Sequence, residues 1–257
     1  MAAALRRLAA PARRAGLALL DALLPPRCLC CEAEVAAQGT LCAACFGGIS
    51  AITAPLCERC GVPFAHAGQG EGGLCPRCVA RPPAFRQARA ALRYDAGAKR
   101  LILPLKHADR TDLAGPLARH MVRAGAALLA RAEVVAPVPA HWRRLVARRY
   151  DQAALLARAV GAMTGRRVIP DLLARVRATR PLGDRGAAER ALAVEGVFAV
   201  SARGQAAIRG RQVLLVDDVV TSGATAEACA RALLEAGAAA VDVLAAARVP
   251  DPRLREV

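Results

Sequence analysis

Eight cysteines in four C-x-x-C pairs crowd into residues 28 to 78: Cys28 and Cys31, Cys42 and Cys45, Cys57 and Cys60, Cys75 and Cys78. Two thiolates three residues apart on a tight turn can both reach one tetrahedral metal ion about 2.3 Å away, and two such pairs close an all-thiolate zinc shell. Eight ligands make two structural Zn2+ sites. Sequential pairing joins the first pair to the second across ten residues and the third to the fourth across fourteen, giving two small ribbons. Cross-braced pairing is the rival that spacing alone leaves open. A disulfide framework would need an oxidising compartment that nothing else in the chain supports, so the pattern points to a reducing, cytoplasmic setting. Cys30 reads as a spare neighbour of the first pair that could replace Cys28 or Cys31, and Cys229 as a small buried residue of an alanine-rich helix.

A metal-stapled segment of this size leaves most of the 257 residues, 55% of them apolar, for one ordinary domain with a full core. The longest apolar stretches, such as Ala15 to Leu24, are broken by Asp21 and fall short of a bilayer span. Residues 1–24 therefore read as an amphipathic helix ended by Pro25 and Pro26, not as an export signal. Aromatic residues make up 3%, which disfavours nucleic-acid readers built on many stacking rings.

The net charge of +16 invites an anionic partner, although with 35 Arg to 2 Lys a general arginine bias supplies much of it. It is also uneven, about +3 on residues 1–85 and +13 on residues 86–257. Lysine is so scarce that Lys106, at a motif-like position, carries more information than an arginine would.

From residue 81 the texture changes. An R-P-P linker gives way to apolar runs alternating with helical patterns. Strands are expected at Ala88 to Tyr94, Val134 to Val138, Val197 to Val200, Val213 to Asp217 and Val241 to Ala246. Helices are expected at Ala98 to His107 with a kink at Pro104, Leu113 to Ala130, Gln152 to Thr164 and Ala224 to Glu235, the last closed by Gly237. This alternation predicts an α/β domain with a mostly parallel sheet covered on both faces. Residues 177–193 lack a clean period and read as a long loop. The expected layout is a helix at 1–24, a double zinc ribbon at 25–80 and the α/β domain at 86–257.

The run V-L-L-V-D-D-V-V-T-S-G-A-T, Val213 to Thr225, carries the chemistry. A buried strand ends in two carboxylates, and a Thr-Ser-Gly-Ala-Thr turn leads into a helix whose N-terminal amides suit a phosphate. Gly223 permits close backbone approach, while Thr221, Ser222 and Thr225 add hydroxyl donors. Asp217 and Asp218 suit the vicinal hydroxyls of a sugar attached to that phosphate, with a divalent cation nearby. A nucleoside-triphosphatase strand is excluded, because neither Lys99 nor Lys106 follows a glycine.

This run resembles the phosphoribosyl-pyrophosphate (PRPP) binding motif of type I phosphoribosyltransferases. With the four cysteine pairs, the chain is similar to the ComF family of competence-related, phosphoribosyltransferase-like proteins. The resemblance extends from P-P-R-C at Pro25 to A-A-A-R at Arg248. It includes R-Y-D at Arg93, L-K-H at Leu105, A-P-V-P at Ala136 and R-R-L-V-A-R-R-Y-D-Q from Arg143 to Gln152.

The resemblance implies that Asp217 and Asp218 contact the ribose and that Thr221, Ser222, Gly223, Ala224 and Thr225 wrap the 5-phosphate. It implies that Arg143, Arg144, Arg148 and Arg149 face the pyrophosphate, that Arg190 lies on the flexible loop, and that Mg2+ accompanies PRPP. Lys106 could reach a pyrophosphate or a DNA phosphate. Asp151 stands where the family commonly has Asn, and Leu182 and Ala193 where its flexible loop has Gln and Asn, so the acceptor pocket departs from the pattern. The implied function is PRPP binding, with phosphoribosyl transfer to a nitrogen acceptor as its enzymatic form, in DNA uptake and natural transformation with other DNA-uptake proteins. The alternative is a non-catalytic module that binds single-stranded DNA and keeps the PRPP site for sensing or structure.

Overall fold

The computed structural model describes residues 24–140, 150–177 and 196–254. The chain divides into two compact units, Met1–Gly48 and Ile49–Val257. The second unit takes in the second cysteine ribbon as well as the α/β domain. The expected N-terminal helix lies outside the described residues.

In the first unit a hairpin bridge between Arg27 and Glu34 sets the first knuckle. A short helix, α1 (Ala43–Gly47), carries the second, with Cys42 as its N-cap. In the second unit the bridge between Leu56 and Pro63 and helix α2 (Pro76–Ala80) repeat the device. Five-residue helices do not persist alone in water, so tertiary or metal anchorage must hold them.

The α/β part follows in the order β1 (Gln87–Arg93), α3 (Ala96–His107), α4 (Ala114–Ala124), α5 (Ala126–Arg131), β2 (Val134–Pro137), α6 (Gln152–Thr164), β3 (Arg167–Val168), β4 (Leu173–Arg175), β5 (Phe198–Val200), α7 (Ala202–Ile208), β6 (Gln212–Val220), α8 (Ala224–Glu235) and β7 (Ala240–Arg248). The main sheet runs β1-β7-β6-β2-β3 and every pairing in it is parallel. β4 and β5 form a separate antiparallel pair.

Alternation along the strands splits the core into two faces. Val213, Leu215 and Val243 share one apolar cluster with Cys229 and Leu233 of α8 and with Ile52, Phe64, Phe85 and the four cysteines of the second ribbon. The ribbon is therefore part of that core. Its knuckle reaches the sheet at Gly61, which has φ +67°; a Cβ there would lie 2.4 Å from the carbonyl oxygen of Ala88 in β1. On the other face Met121 of α4 and Leu156 and Val160 of α6 are fully buried.

Two expectations change. The helix expected over Leu113 to Ala130 breaks at Gly125, so α4 and α5 are separate elements; a Cβ at that position would lie 2.7 Å from the Leu244 side chain. The strand expected to stop at Asp217 continues to Val220, because β7 goes on pairing with it after β2 has ended: Pro137 is opposite Val216, whereas Val219 and Val220 are opposite Ala247 and Arg248. At the amino end of the sheet, Asp242 is buried between Arg86 and Arg131, each 2.7 Å away.

Candidate functional site

The early end of β2 opens a crevice beside the carboxyl half of β6, the place where open α/β sheets bind ligands. Asp217 and Asp218 project to opposite faces of β6 by strand alternation. Asp218 pairs with Lys106, Nζ to Oδ2 3.0 Å, and Lys106 stands in the last turn of α3. Asp151 closes the group. It caps α6 through the Ala154 amide at 3.2 Å and also accepts from the Ala140 amide at 3.1 Å. Its carboxyl is raised by burial despite those donors, and the charge of Asp218 adds to the rise. Burial, and then the charge of Asp218, pushes Asp217 up to about 7, with Lys106 opposing the shift.

Beyond Val220 the chain turns through Thr221 and Ser222 to Gly223, whose φ of +79° places it in the left-handed region as the N-cap of α8. Ser222 Oγ accepts from the Ala224 amide at 3.4 Å. The following first-turn amides of α8 have no intrahelical acceptor and form an anion-ready end with the partial positive charge of a helix N-terminus. The structure thus brings Asp217, Asp218, Thr221, Ser222, Gly223, Ala224 and Thr225 onto one strand-loop-helix, with Lys106 beside it. Arg143, Arg144, Arg148, Arg149 and Arg190, together with Leu182 and Ala193, lie outside the described residues.

The eight paired cysteines form two tetrads, Cys28, Cys31, Cys42 and Cys45, and Cys57, Cys60, Cys75 and Cys78, each with all four sulfurs within 4.8 Å of one another. Pairing is sequential and not cross-braced. All ten cysteines are free of disulfides, Cys30 stands outside the tetrads, and Cys229 is fully buried. A regular tetrahedron of thiolates about 2.3 Å from zinc has sulfurs roughly 3.8 Å apart; Cys31 and Cys42 are separated by 3.6 Å and Cys60 and Cys75 by 3.7 Å.

Burial raises the Cys28 thiol, but the amides of Cys42, Cys30 and Cys31 outweigh it and hold it at about 6. Burial and the neighbouring sulfurs push Cys45 up to about 12. Four thiolates this close cannot all ionise without a cation between them, and zinc supplies it. Among the described residues no other set of three His, Cys, Asp or Glu ligand atoms converges.

A cleft of about 920 Å³ runs between α2 and α8 in the second unit, bordered by Arg77, Phe85, Ser222, Gly223, Arg231 and Arg248. Arg77 and Arg248 are the functional neighbours that sequence reasoning missed. Each is one arginine among 35, and the one available signal was that Arg248 closes the last matching stretch, A-A-A-R.

Among the described residues no helix is long and apolar enough to cross a membrane. The chain matches the Double zinc ribbon domain family over residues 19–83 and the Phosphoribosyl transferase domain family over residues 164–256. It is 28% identical over 232 residues to the "DNA utilization protein YhgH" of Salmonella typhi, covering 86% of this chain and 96% of that one. It is 30% identical over 197 residues to the protein of that name from Escherichia coli K12, covering 73% and 82%. The glutamine PRPP amidotransferase of B. subtilis superposes with a TM-score of 0.39 at 20% identity, covering 56% of this chain and 30% of that larger one. With both domain families in this order, and a relative at this identity matched over most of its length, the chain belongs to the ComF family of double-zinc-ribbon, phosphoribosyltransferase-like proteins.

Proposed function

We propose that this protein binds PRPP with Mg2+ at the carboxyl end of β6 and serves in the handling of DNA during uptake. The observation that carries the reading is the succession of Asp217 and Asp218, the Thr221–Ser222–Gly223 turn and the N-terminus of α8 on one edge of a parallel sheet. Supporting it are the match to the phosphoribosyltransferase family and the relatives named for DNA utilization.

In this reading the α8 amides and the hydroxyls of Thr221, Ser222 and Thr225 hold the 5-phosphate, and Asp217 and Asp218 accept from the ribose hydroxyls. Lys106, paired with Asp218, stands ready to meet a phosphate oxygen. Mg2+ would be held mainly by the ligand's own phosphates with one of these carboxylates, as suits an ion that rarely has an all-protein cage; it would neutralise the departing pyrophosphate. Arg143, Arg148 and Arg190 complete the anion site. Transfer would join a nitrogen of the acceptor to the ribose carbon as the bond to pyrophosphate breaks.

The experiment is calorimetry with PRPP and Mg2+ on the parent and on Asp217→Asn with Asp218→Asn. The double variant should fold and fail to bind. Binding equal to the parent's would overturn the site, and pyrophosphate release in a panel of purine, pyrimidine and amine acceptors would establish turnover.

A further inference from the structure

The two metal shells share one chemistry but differ in what touches them. In the first unit Cys28 Sγ accepts from the amides of Cys30 at 3.5 Å and Cys42 at 3.3 Å. In the second, Cys57 Sγ accepts in the same way from the amides of Cys60 and Cys75. There, however, Cys60 Sγ also accepts from Arg248 Nη2, 3.4 Å away.

Arg248 is the last residue of β7 and only 5% exposed. Its Nε and Nη1 are buried without a hydrogen-bond partner among the described residues. A guanidinium so placed is costly unless an opposite charge stands beside it. Zinc with four thiolates carries a net charge of −2, which supplies that charge. The backbone of Arg248 is opposite Val220, the final residue of β6, and the Val249 amide donates to the Val220 carbonyl at 3.0 Å.

A second tie runs from the other side of the same shell. Arg77 sits between Pro76 and the ligand Cys78 on α2, and its Nη1 donates to the Ser222 carbonyl. One metal shell is thus tied through two arginines to Val220 and Ser222, the residues on either side of Thr221.

We propose that the second zinc sets the shape of the phosphate loop, with Arg248 and Arg77 as positioning residues, so that PRPP affinity depends on the second metal and not on the first. The proposal rests on the PRPP reading for its ligand, and on the contacts above for its coupling. Without the metal the four sulfurs are no longer held together beside Arg248, and the guanidinium loses the shell it donates to, which disturbs the β7 end against Val220. The five-residue α2 loses its anchor, and Arg77 releases Ser222.

The test uses the full zinc-loaded chain and three readouts: zinc content, the PRPP Kd with Mg2+, and amide hydrogen exchange at residues 220–225 without PRPP. Arg77→Ala and Arg248→Met keep every metal ligand. Each should retain two zinc ions, raise the Kd about tenfold, as expected for a lost hydrogen bond from a charged group, and speed exchange in the loop. Arg248→Lys, which keeps the charge but not the reach, should recover part of both effects. Cys31→Ser should lose one zinc and keep the parent's Kd and loop exchange.

If both arginine variants retain two zinc ions with the parent's exchange and Kd, the coupling is wrong even though PRPP binds. If the parent does not bind PRPP while the variants still speed loop exchange, the coupling stands and the ligand reading alone fails. A variant in a ligand of the second zinc, such as Cys78→Ser, would add the largest effect, and should it not fold, the arginine variants decide.

Discussion

Lys106 Nζ lies 3.0 Å from Asp218 Oδ2 with both side chains less than one-fifth exposed, so the cation belongs to the carboxylate cluster before any ligand arrives. It opposes the upward shift that burial and Asp218 impose on Asp217. Ribose hydroxyls need an ionised acceptor, so PRPP affinity should climb as pH rises through about 7 and then level off. Lys106→Met should move that midpoint to higher pH. Calorimetry across about pH 5.5 to 9 on both proteins separates this shift from the titration of PRPP itself, which is common to the two. An unchanged midpoint would remove Lys106 from the site.

The same carboxyl makes a stability prediction of definite sign. Burial and the charge of Asp218 raise the Asp217 carboxyl to about 7 in the folded chain, against an ordinary 3.8. Between those values the folded chain holds a proton that the unfolded chain has lost. Its contribution to stability therefore declines as pH rises across that window and stays lost above it. Asp217→Asn should raise the Tm by several degrees at about pH 8, and the gain should vanish below about pH 3, where the parent's carboxyl is neutral in both states. A gain independent of pH would assign the effect to packing.

Metal release should be biphasic. In the first shell Cys31 is exposed and Cys42 half-buried, whereas all four sulfurs of the second are on buried residues. A chelator with a colour change should take one zinc quickly and the other slowly from protein purified with about two ions per chain. Release of both in one phase would contradict this difference in access.

The arginine-rich second half makes a prediction about nucleic acid that stands apart from the PRPP site. Single-stranded DNA should bind with little sequence preference. Its affinity should fall steeply with salt, with a log-log slope of about −0.7 per neutralised phosphate. PRPP binding, confined to a pocket, should respond far less. Replacing Arg143, Arg144, Arg148 and Arg149 together should flatten the slope in a fluorescence-anisotropy titration, and a slope unchanged by all four would place the strand elsewhere.

The parts of this fold that depend on local rules were legible in the residues. Val213 to Val216 announce a buried strand because all four are apolar, and α6 starts and stops where Asp151 and Gly165 say, one as a side-chain cap and the other at φ +68°. What stayed hidden depends on distant partners. The need for a residue without a Cβ at Gly125 is set by Leu244, more than a hundred residues away. The extension of β6 past Asp217 is set by β7. Asp151 reads in sequence as a departure from a family pattern, and only the fold brings it into the electrostatic reach of Asp217 and Asp218. Arg77 and Arg248 were illegible for a compositional reason, since in so arginine-rich a chain each is indistinguishable from a solvated surface charge.

The close approach of Gly61 to Ala88 bears on how such a protein can be taken apart. A contiguous cysteine-rich stretch invites treatment as one detachable cassette, to be exchanged between relatives or expressed alone. Here its second half has its knuckle against β1 and its sulfurs in the sheet's own core, with no room at the contact even for a methyl group. A chimera joined after the fourth cysteine pair would part surfaces that were never separate. One joined at the boundary between Gly48 and Ile49 would exchange a ribbon and leave the remaining core whole.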